Sequence, residues 1–160
     1  MKAATPADPG FRQRVRDSFA RQAVMVTLGA TLEVAEAGRV VIVMPHKPEL
    51  SQQHGFLHAG IVATALDSAC GYAAFSLMSA DAAVLTIEFK INLLAPARGP
   101  WFRFEGLVTK AGHTISVVEG KAYQHEAGGP ESLCASMTAT VMTVLGRGLT
   151  HCTLMTETSL

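Results

Sequence analysis

"HAGIVATALDSACGYAAF", running from His58 to Phe75, decides the fold, because it is almost wholly apolar or small and is long enough for a buried helix. We predict one long helix over about 59–78. The stretch from Ala59 to Ala80 approaches the length of a membrane span. It also holds Asp67, several serines and glycines and no flanking basic anchors, which favours a core helix.

A single carboxylate, that of Asp67, lies in the middle of this apolar helix. Gly60, Thr64, Asp67 and Gly71 recur at helical spacing and form one narrow face of small residues, which leaves room for a ligand or another backbone. One interpretation is structural: Asp67 pairs with the Thr64 hydroxyl or with water. We favour a chemical role, because a buried carboxylate with only a hydroxyl as its partner is costly.

Polar groups gather where this helix begins. The first N–H groups of a helix are free and carry a partial positive charge, so they can hold an oxyanion or a polarised carbonyl. The preceding loop brings four side chains to the same place: Gln52, Gln53, His54 and His58. The two histidines lack a third clear ligand, so we expect no metal.

The distance along the helix bears on the number of chains. From Ala59 to Asp67 the helix rises roughly 12 Å, too far for both residues of one chain to contact one small carbonyl group. Either the two do different jobs or two chains share each site. A homodimer with antiparallel helices would bring Asp67 of one chain toward the Ala59 end of the other. A dimer of dimers and a monomer covered by its first helix stay open as alternatives.

The rest of the chain predicts one short helix and a set of antiparallel strands. Asp8-Pro9 favours a helix over about 9–24. The predicted strands lie at 26–35, 40–45, 85–93, 101–110, 114–124 and 133–145. A tail over 146–160 has no periodicity. We therefore predict an α+β fold in which an antiparallel sheet wraps around the long helix, and dimerisation would cover what one helix leaves exposed.

Composition narrows the class of protein. The 160 residues predict a single domain over 1–160, and 49% apolar with 16% charged residues argues against disorder. Thirteen basic and thirteen acidic residues cancel, which is not typical of a protein that binds nucleic acid or an anionic membrane. The start lacks the apolar run of a signal peptide. Three cysteines without CxxC spacing indicate reduced thiols in a cytoplasmic protein: Cys70, Cys134 and Cys152.

The candidate chemistry is that of a lone carboxylate beside an oxyanion site. The chain has no GxSxG elbow, SxxK pair or Walker loop, and we expect no cofactor. A carboxylate with an oxyanion site suits a substrate whose leaving group departs easily. A thiolate leaves readily because the pKa of a thiol is about 8.5. Thioester hydrolysis is the simplest reaction that fits.

These residues resemble a hotdog-fold acyl-CoA thioesterase of the phenylacetate-degradation (PaaI) type, including its medium- and long-chain acyl-CoA members, over about residues 12–145. The motif is a polar amide, a glycine three residues later, His-Gly-Gly, and an acid nine residues after the His. Here it reads Gln52, Gly55, His58-Ala59-Gly60 and Asp67. The resemblance implies that Asp67 is the nucleophile or general base, that the Ala59 N–H polarises the carbonyl, and that the partner chain completes the site.

Further site residues follow from the same resemblance. It implies that Thr86 orients the attacking water, and that a basic residue at the 111–113 turn meets the CoA phosphates, here His113 with help from Lys110. Ala59 stands in place of the first Gly of the usual pair, which is harmless if its φ is negative. Gln52 stands where Asn is commoner, with Gln53 as a substitute.

Two observations leave alternatives open. Thr86 shares the polar face of its predicted strand with Glu88, Lys90 and Asn92, so a bulge or a position at the dimer seam is needed to turn it toward the helix. A non-catalytic acyl-CoA sensor on the same fold would need no buried acid. A hydratase would need an Asp and His pair with NPxH-like spacing, which the chain lacks. Acyl length is not readable from the sequence.

Overall fold

The computed structural model describes residues 5–125 and 128–146. Three α-helices follow one another within these ranges: α1 (Phe11–Ala20), α2 (Ala23–Leu28) and α3 (Ala59–Phe75). A short 3-10 helix, Pro48–Leu50, precedes α3. The strands are β1 (Thr31–Glu36), β2 (Arg39–Pro45), β3 (Ala83–Leu93), β4 (Trp101–Lys110), β5 (Ile115–His125) and β6 (Glu131–Val144).

The six strands form one antiparallel sheet in the order β1-β2-β4-β5-β6-β3. Helix α3 packs against this sheet and buries nearly all of its second half, which explains why the stretch is apolar all round rather than on one stripe. The predicted α+β class, with an antiparallel sheet around one long helix, is confirmed and is that of the hotdog fold. None of the helices between residues 5 and 146, leaving aside 126–127, is long and apolar enough to cross a membrane.

Two glycines let α3 approach the sheet closely. A Cβ added at Gly106 of β4 would lie 2.3 Å from the carbonyl oxygen of Ala69. A Cβ added at Gly120 of β5 would lie 2.9 Å from the Cys70 sulfur. Because both contacts fall in the middle of α3, these glycines fix the depth at which the helix carrying Asp67 lies on the sheet.

The predicted helix over 9–24 is present only as α1 and the start of α2, with a break between them, and the predicted strand start at 26 is wrong. The Asp8 side chain accepts a 2.8 Å hydrogen bond from the Gly10 N–H, and the helix begins only at Phe11. The backbone of Gln22 is extended, with φ −80° and ψ 95°, which separates α1 from α2. Helix α2 buries Met25 and is followed by Gly29, whose φ of 70° is left-handed. Tertiary packing of a second short helix therefore overrides the local β propensity of 26–28.

The remaining boundaries differ less. Helix α3 ends at Phe75 rather than near 78, and the other strands match their predicted positions within about two residues. Residues 147–160 of the predicted tail, with Cys152, lie outside the described part of the chain.

Strand β3 lies at one edge of the sheet, so one side of its backbone has no neighbouring strand within the described residues. Its exposed apolar side chains include Leu85, Ile87 and Phe89, of which Ile87 is 53% exposed. A long apolar edge is a surface on which another strand can add. The edge runs directly beside Asp67, because Thr86 contacts that residue.

Candidate active site

Asp67 lies on the face of α3 that turns toward β3, and its side chain is half-buried. The Thr86 hydroxyl donates a 2.7 Å hydrogen bond to Oδ1 of Asp67. A bulge between Thr86 and Glu88 shifts the register of β3 on β6, so that Thr86 is paired with the buried Val141 and turns toward α3, whereas Glu88 turns outward to Thr140. A bulge was one of the two explanations that the sequence offered for how Thr86 could leave the polar face of its strand and turn toward the helix.

The pairing of Asp67 with the Thr64 hydroxyl, one form of the structural alternative, is wrong. The Thr64 hydroxyl donates to the Gly60 carbonyl at 2.8 Å, within its own helix, and not to Asp67. In residues 5–125 and 128–146, Thr86 is the hydrogen-bond partner of the Asp67 carboxylate, and Oδ2 has none. One oxygen is therefore held in place and the other is free to act on a ligand.

The carboxylate opens onto a cavity of about 520 Å³. Helix α3 supplies Asp67, Gly71 and Phe75 to its wall, and β3 supplies the segment 83–86. The third wall is the junction of α1 and α2, with Ser18 and Gln22. Sequence reasoning missed this junction, because a continuous helix over 9–24 gave no reason to turn Gln22 toward α3.

The neighbouring thiols are not candidate nucleophiles. Burial, and after it the negative charge of Asp67 one turn away, raise the pKa of Cys70 to about 12. Burial likewise raises the pKa of Cys134 to about 11. Both thiols are therefore protonated at neutral pH, which makes them poor nucleophiles.

The start of α3 presents one free amide. His58 is the N-cap residue, and its Nδ1 accepts a 2.9 Å hydrogen bond from the Gly60 N–H. The N–H groups of Ile61 and Val62 donate to the His58 carbonyl. The Ala59 N–H, in contrast, has no acceptor among the residues that the structure describes. Because Ala59 is the first helical residue, its φ is negative, and Ala in place of Gly causes no strain there.

The loop before α3 holds the other predicted residues. The Gln52 side-chain oxygen accepts a hydrogen bond from the His54 N–H, and the Gly55 N–H donates to the Gln52 carbonyl at 2.9 Å. Gly55 needs its glycine, because its φ is 81°. Gln53 and His54 are exposed.

A histidine that sequence reasoning did not single out also supports this loop. His46 Nε2 lies 3.1 Å from the Ser51 hydroxyl and 3.3 Å from the Gly55 carbonyl oxygen. His46 stands nine residues before Gly55 in a polar loop, and nothing in that spacing signals the contact.

Within one protomer the structure does not bring the helix start and Asp67 into one cavity. Gln52 and Ala59 line a separate cavity of about 380 Å³, together with Leu94 and Cys134. Eight residues of helix separate Ala59 from Asp67, a rise of roughly 12 Å. The two groups expected to act on one carbonyl therefore lie apart in a single chain.

The residues predicted to meet the CoA phosphates lie beyond the other end of α3. Lys110 ends β4 and His113 lies in the turn before β5, and both are exposed. His113 lines a hollow with Ala74 and Met78, at the carboxyl end of α3. It is not near His58 or Ala59 of the same chain.

Metal-ligating side chains do not cluster in the part of the chain that the structure describes. Across the described ranges, no three His, Cys, Asp or Glu side chains are close enough to hold an ion together. The candidate site groups of one chain are the Asp67 carboxylate, which the Thr86 hydroxyl holds, and the free Ala59 N–H, and each lines its own cavity.

Comparisons with known proteins add to this geometry. A sequence profile described as "Thioesterase superfamily" matches residues 54–130. A thioesterase family protein from Silicibacter pomeroyi is 57% identical, with 86% of this chain and 100% of that chain covered and a TM-score of 0.84. A Saccharolobus solfataricus protein named "Putative esterase" is 44% identical over 85 residues, which span 52% of this chain and 59% of that protein.

A more distant likeness concerns the fold alone. The E. coli PaaI protein, from the phenylacetic acid degradation operon, has a TM-score of 0.77 with 16% identity, over 86% of this chain and 96% of that chain.

Proposed function

The chain belongs to the thioesterase superfamily, and from this premise we propose that it hydrolyses acyl-CoA thioesters to a free acid and CoA. The observation that carries the proposal is the Asp67 carboxylate, held at 2.7 Å by the Thr86 hydroxyl on the wall of a 520 Å³ cavity. Asp67 is the one acidic residue among the described residues that line it. The phenylacetate-degradation type and a cytoplasmic location, which suits the buried thiols of Cys70 and Cys134, belong to the same proposal.

In the general-base form of the reaction, Oδ2 of Asp67 takes a proton from a water molecule, whose oxygen attacks the thioester carbonyl carbon. The carbonyl oxygen becomes an oxyanion and accepts a hydrogen bond from the Ala59 N–H. The tetrahedral intermediate then expels the CoA thiolate, and the proton held by Asp67 returns to that sulfur. The bond to Thr86 keeps Oδ1 fixed, so the lone pairs of Oδ2 stay directed at the cavity.

In the nucleophilic form, the Asp67 carboxylate attacks the carbonyl itself and expels the CoA thiolate. A mixed anhydride forms, and water then hydrolyses it to the free acid and the original carboxylate, while the second proton of the water passes to the CoA thiolate. The oxyanion of each step needs the same donor. Both forms use the same two groups, so the proposal does not depend on the choice between them.

We place the two groups of each site on different chains of a homodimer. Ala59 and Asp67 of one chain are separated by a helix rise of roughly 12 Å and line different cavities. Two α3 helices packed antiparallel would bring the Asp67 of one chain to the Ala59 of the other, twice per dimer. The exposed β3 edge, with Leu85 and Ile87, is the surface that supports such an assembly.

The experiment is a panel of acyl-CoA thioesters of rising chain length, with release of free thiol followed. We expect turnover with the wild-type protein and a loss of at least about a thousandfold in kcat for Asp67→Asn, which keeps the size and the Thr86 contact but not the charge. Circular dichroism of Asp67→Asn is the control for folding. Binding of acyl-CoA without thiol release would contradict the proposal and favour a sensor of the same fold.

A further inference from the structure

The turn before α3, from Gln52 to Gly55, brings a polar side chain to the cavity that Ala59 lines. The Gln52 side-chain oxygen accepts a hydrogen bond from the His54 N–H, which fixes the orientation of the amide. Its Nε2 therefore carries the two N–H groups, and no described residue accepts a hydrogen bond from them. Because Gln52 is half-buried in the wall of this cavity, its amide is a further donor for an oxygen bound there.

The backbone of the turn fixes its shape. The Gln52 N–H donates to the Phe56 carbonyl at 2.8 Å, and the Gly55 N–H donates to the Gln52 carbonyl at 2.9 Å. Its place relative to the sheet depends on bonds to other elements. From outside the turn, His46 Nε2 lies 3.3 Å from the Gly55 carbonyl oxygen and 3.1 Å from the hydroxyl of Ser51, the residue before Gln52. One imidazole therefore contacts both ends of the turn.

His46 is itself held by the sheet. It directly follows β2, and its N–H donates at 2.9 Å to the carbonyl of Pro100, the residue before β4. Its ring lies against the ring of Phe102, with 6.4 Å between the centroids, and Phe102 is fully buried. Both the backbone and the ring of His46 are therefore fixed relative to β2 and β4.

The contacts of His46 show which ring nitrogen carries hydrogen. A carbonyl oxygen only accepts, so the contact with Gly55 requires a hydrogen on Nε2. The Ser51 hydroxyl donates to the Lys47 carbonyl at 3.4 Å, so its oxygen is able to accept from the same Nε2–H. The two ends of the turn share this one donor, and Gln52 lies between them.

We infer that His46 is a positioning residue for thioester hydrolysis: its Nε2–H holds the turn so that the Gln52 amide donates to the oxyanion together with the Ala59 N–H. The inference rests on the proposed function and adds to it a residue that does not touch the substrate. The oxyanion exists in the transition state and not in the bound thioester. A misplaced donor therefore lowers kcat and changes KM little.

The test is a double-mutant cycle with thiol release as the readout. His46→Met removes the donor, and His46→Gln, of similar length, restores an N–H near the place of Nε2. We expect kcat to fall at least about tenfold in His46→Met, with KM within about threefold of the wild type, and to stay within about threefold in His46→Gln. Gln52→Met is expected to lose at least as much, and adding His46→Met to it causes no further loss, because His46 acts through Gln52.

The melting temperature separates positioning from folding. Gly55 is exposed, so water can replace the lost hydrogen bond, and we expect His46→Met to melt within about 3 °C of the wild type. If both His46 variants fail to fold, the role of His46 is structural and the inference is overturned.

The kinetic outcomes separate the inference from the proposed function. Equal kcat values for His46→Met and His46→Gln, or additive losses in the double variant, overturn the role of His46. Either result leaves the thioesterase proposal standing, because the wild type still releases thiol. No thiol release by the wild type from any acyl-CoA thioester overturns both.

Discussion

A single hydrogen bond orients the proposed catalytic carboxylate. The Thr86 hydroxyl, on the largely exposed edge strand β3, donates to Oδ1 of Asp67 at 2.7 Å. A hydrogen bond to a charged group contributes about 1.5–3 kcal/mol, more than a neutral one. The orientation of Oδ2 toward the cavity therefore depends on this one residue of β3.

The first prediction concerns this bond. Thr86→Val keeps the shape of the side chain and removes the donor, so we expect kcat for thiol release to fall by about ten- to a hundredfold. Thr86→Ser keeps the hydroxyl and is expected to stay within about threefold of the wild type. Steady-state kinetics of both variants measure the difference. Equal kcat values for the two variants would show that the hydrogen bond has no catalytic part.

The second prediction concerns the free amide of Ala59. Ala59→Pro removes this N–H at the first helical position, where proline is well tolerated, and the preceding His58 already has an extended ψ of 137°. Since no described residue accepts a hydrogen bond from this N–H, we expect unchanged stability and a fall in kcat of about a hundred- to a thousandfold.

Ala59→Val is the matched control, because it adds comparable bulk and keeps the N–H. Thermal melts and kcat for both variants check the prediction. A proline variant as active as the valine variant would mean that the oxyanion is held elsewhere.

Part of the candidate site could be predicted from the spacing of a few residues in the sequence. A lone acid in an apolar helix predicts Asp67, and the free amides of a helix start predict Ala59 and His58. That these residues act in one site is what the resemblance to hotdog thioesterases implies. The contact of Thr86 with Asp67 could not be derived from alternation alone, since a bulge between Thr86 and Glu88 reverses the face of its strand. The roles of all these residues stay predictions until the variants are measured.

At the scale of elements, the packing of α3 on β4 and β5 holds Asp67 in position. The middle of the helix rests where Gly106 and Gly120 remove side chains from the sheet. Helix and strands of this core were predictable, because periods of 3.6 and 2 are visible in the sequence. The split of 9–24 into α1 and α2 was not, because what separates them is the extended backbone at Gln22 and the burial of Met25.

The third prediction compares two glycines at this contact. In Gly106→Ala the new Cβ would lie 2.3 Å from the Ala69 backbone oxygen, which cannot move without the helix, so we expect the free energy of unfolding to fall by at least about 3 kcal/mol. In Gly71→Ala, nothing lies within 4 Å of the new Cβ, and alanine has a higher helix propensity than glycine. We therefore expect the free energy of unfolding of this variant to rise by about 0.5–1 kcal/mol.

Urea unfolding at one fixed protein concentration measures both variants. Similar stability losses in the two would contradict the close approach at Gly106.

At the scale of the whole molecule, the account requires two chains. The edge strand β3 exposes Leu85, Ile87 and Phe89, and the two halves of the proposed site lie in separate cavities of one protomer. A homodimer would cover the β3 edge and bring Asp67 of one chain together with Ala59 of the other. A single 16.9 kDa species in sedimentation at micromolar concentration would contradict it.

The most direct test of the shared site is complementation between two inactive proteins, Asp67→Asn and Ala59→Pro, mixed after verified subunit exchange. In each heterodimer one site carries both changes and the other carries neither. With random exchange at equal amounts, half of the dimers are heterodimers with one whole site of two, so we predict recovery of about one quarter of wild-type thiol release. If each chain held a complete site, every site in the mixture would carry one change, and the absence of any recovery would contradict the shared-site mechanism.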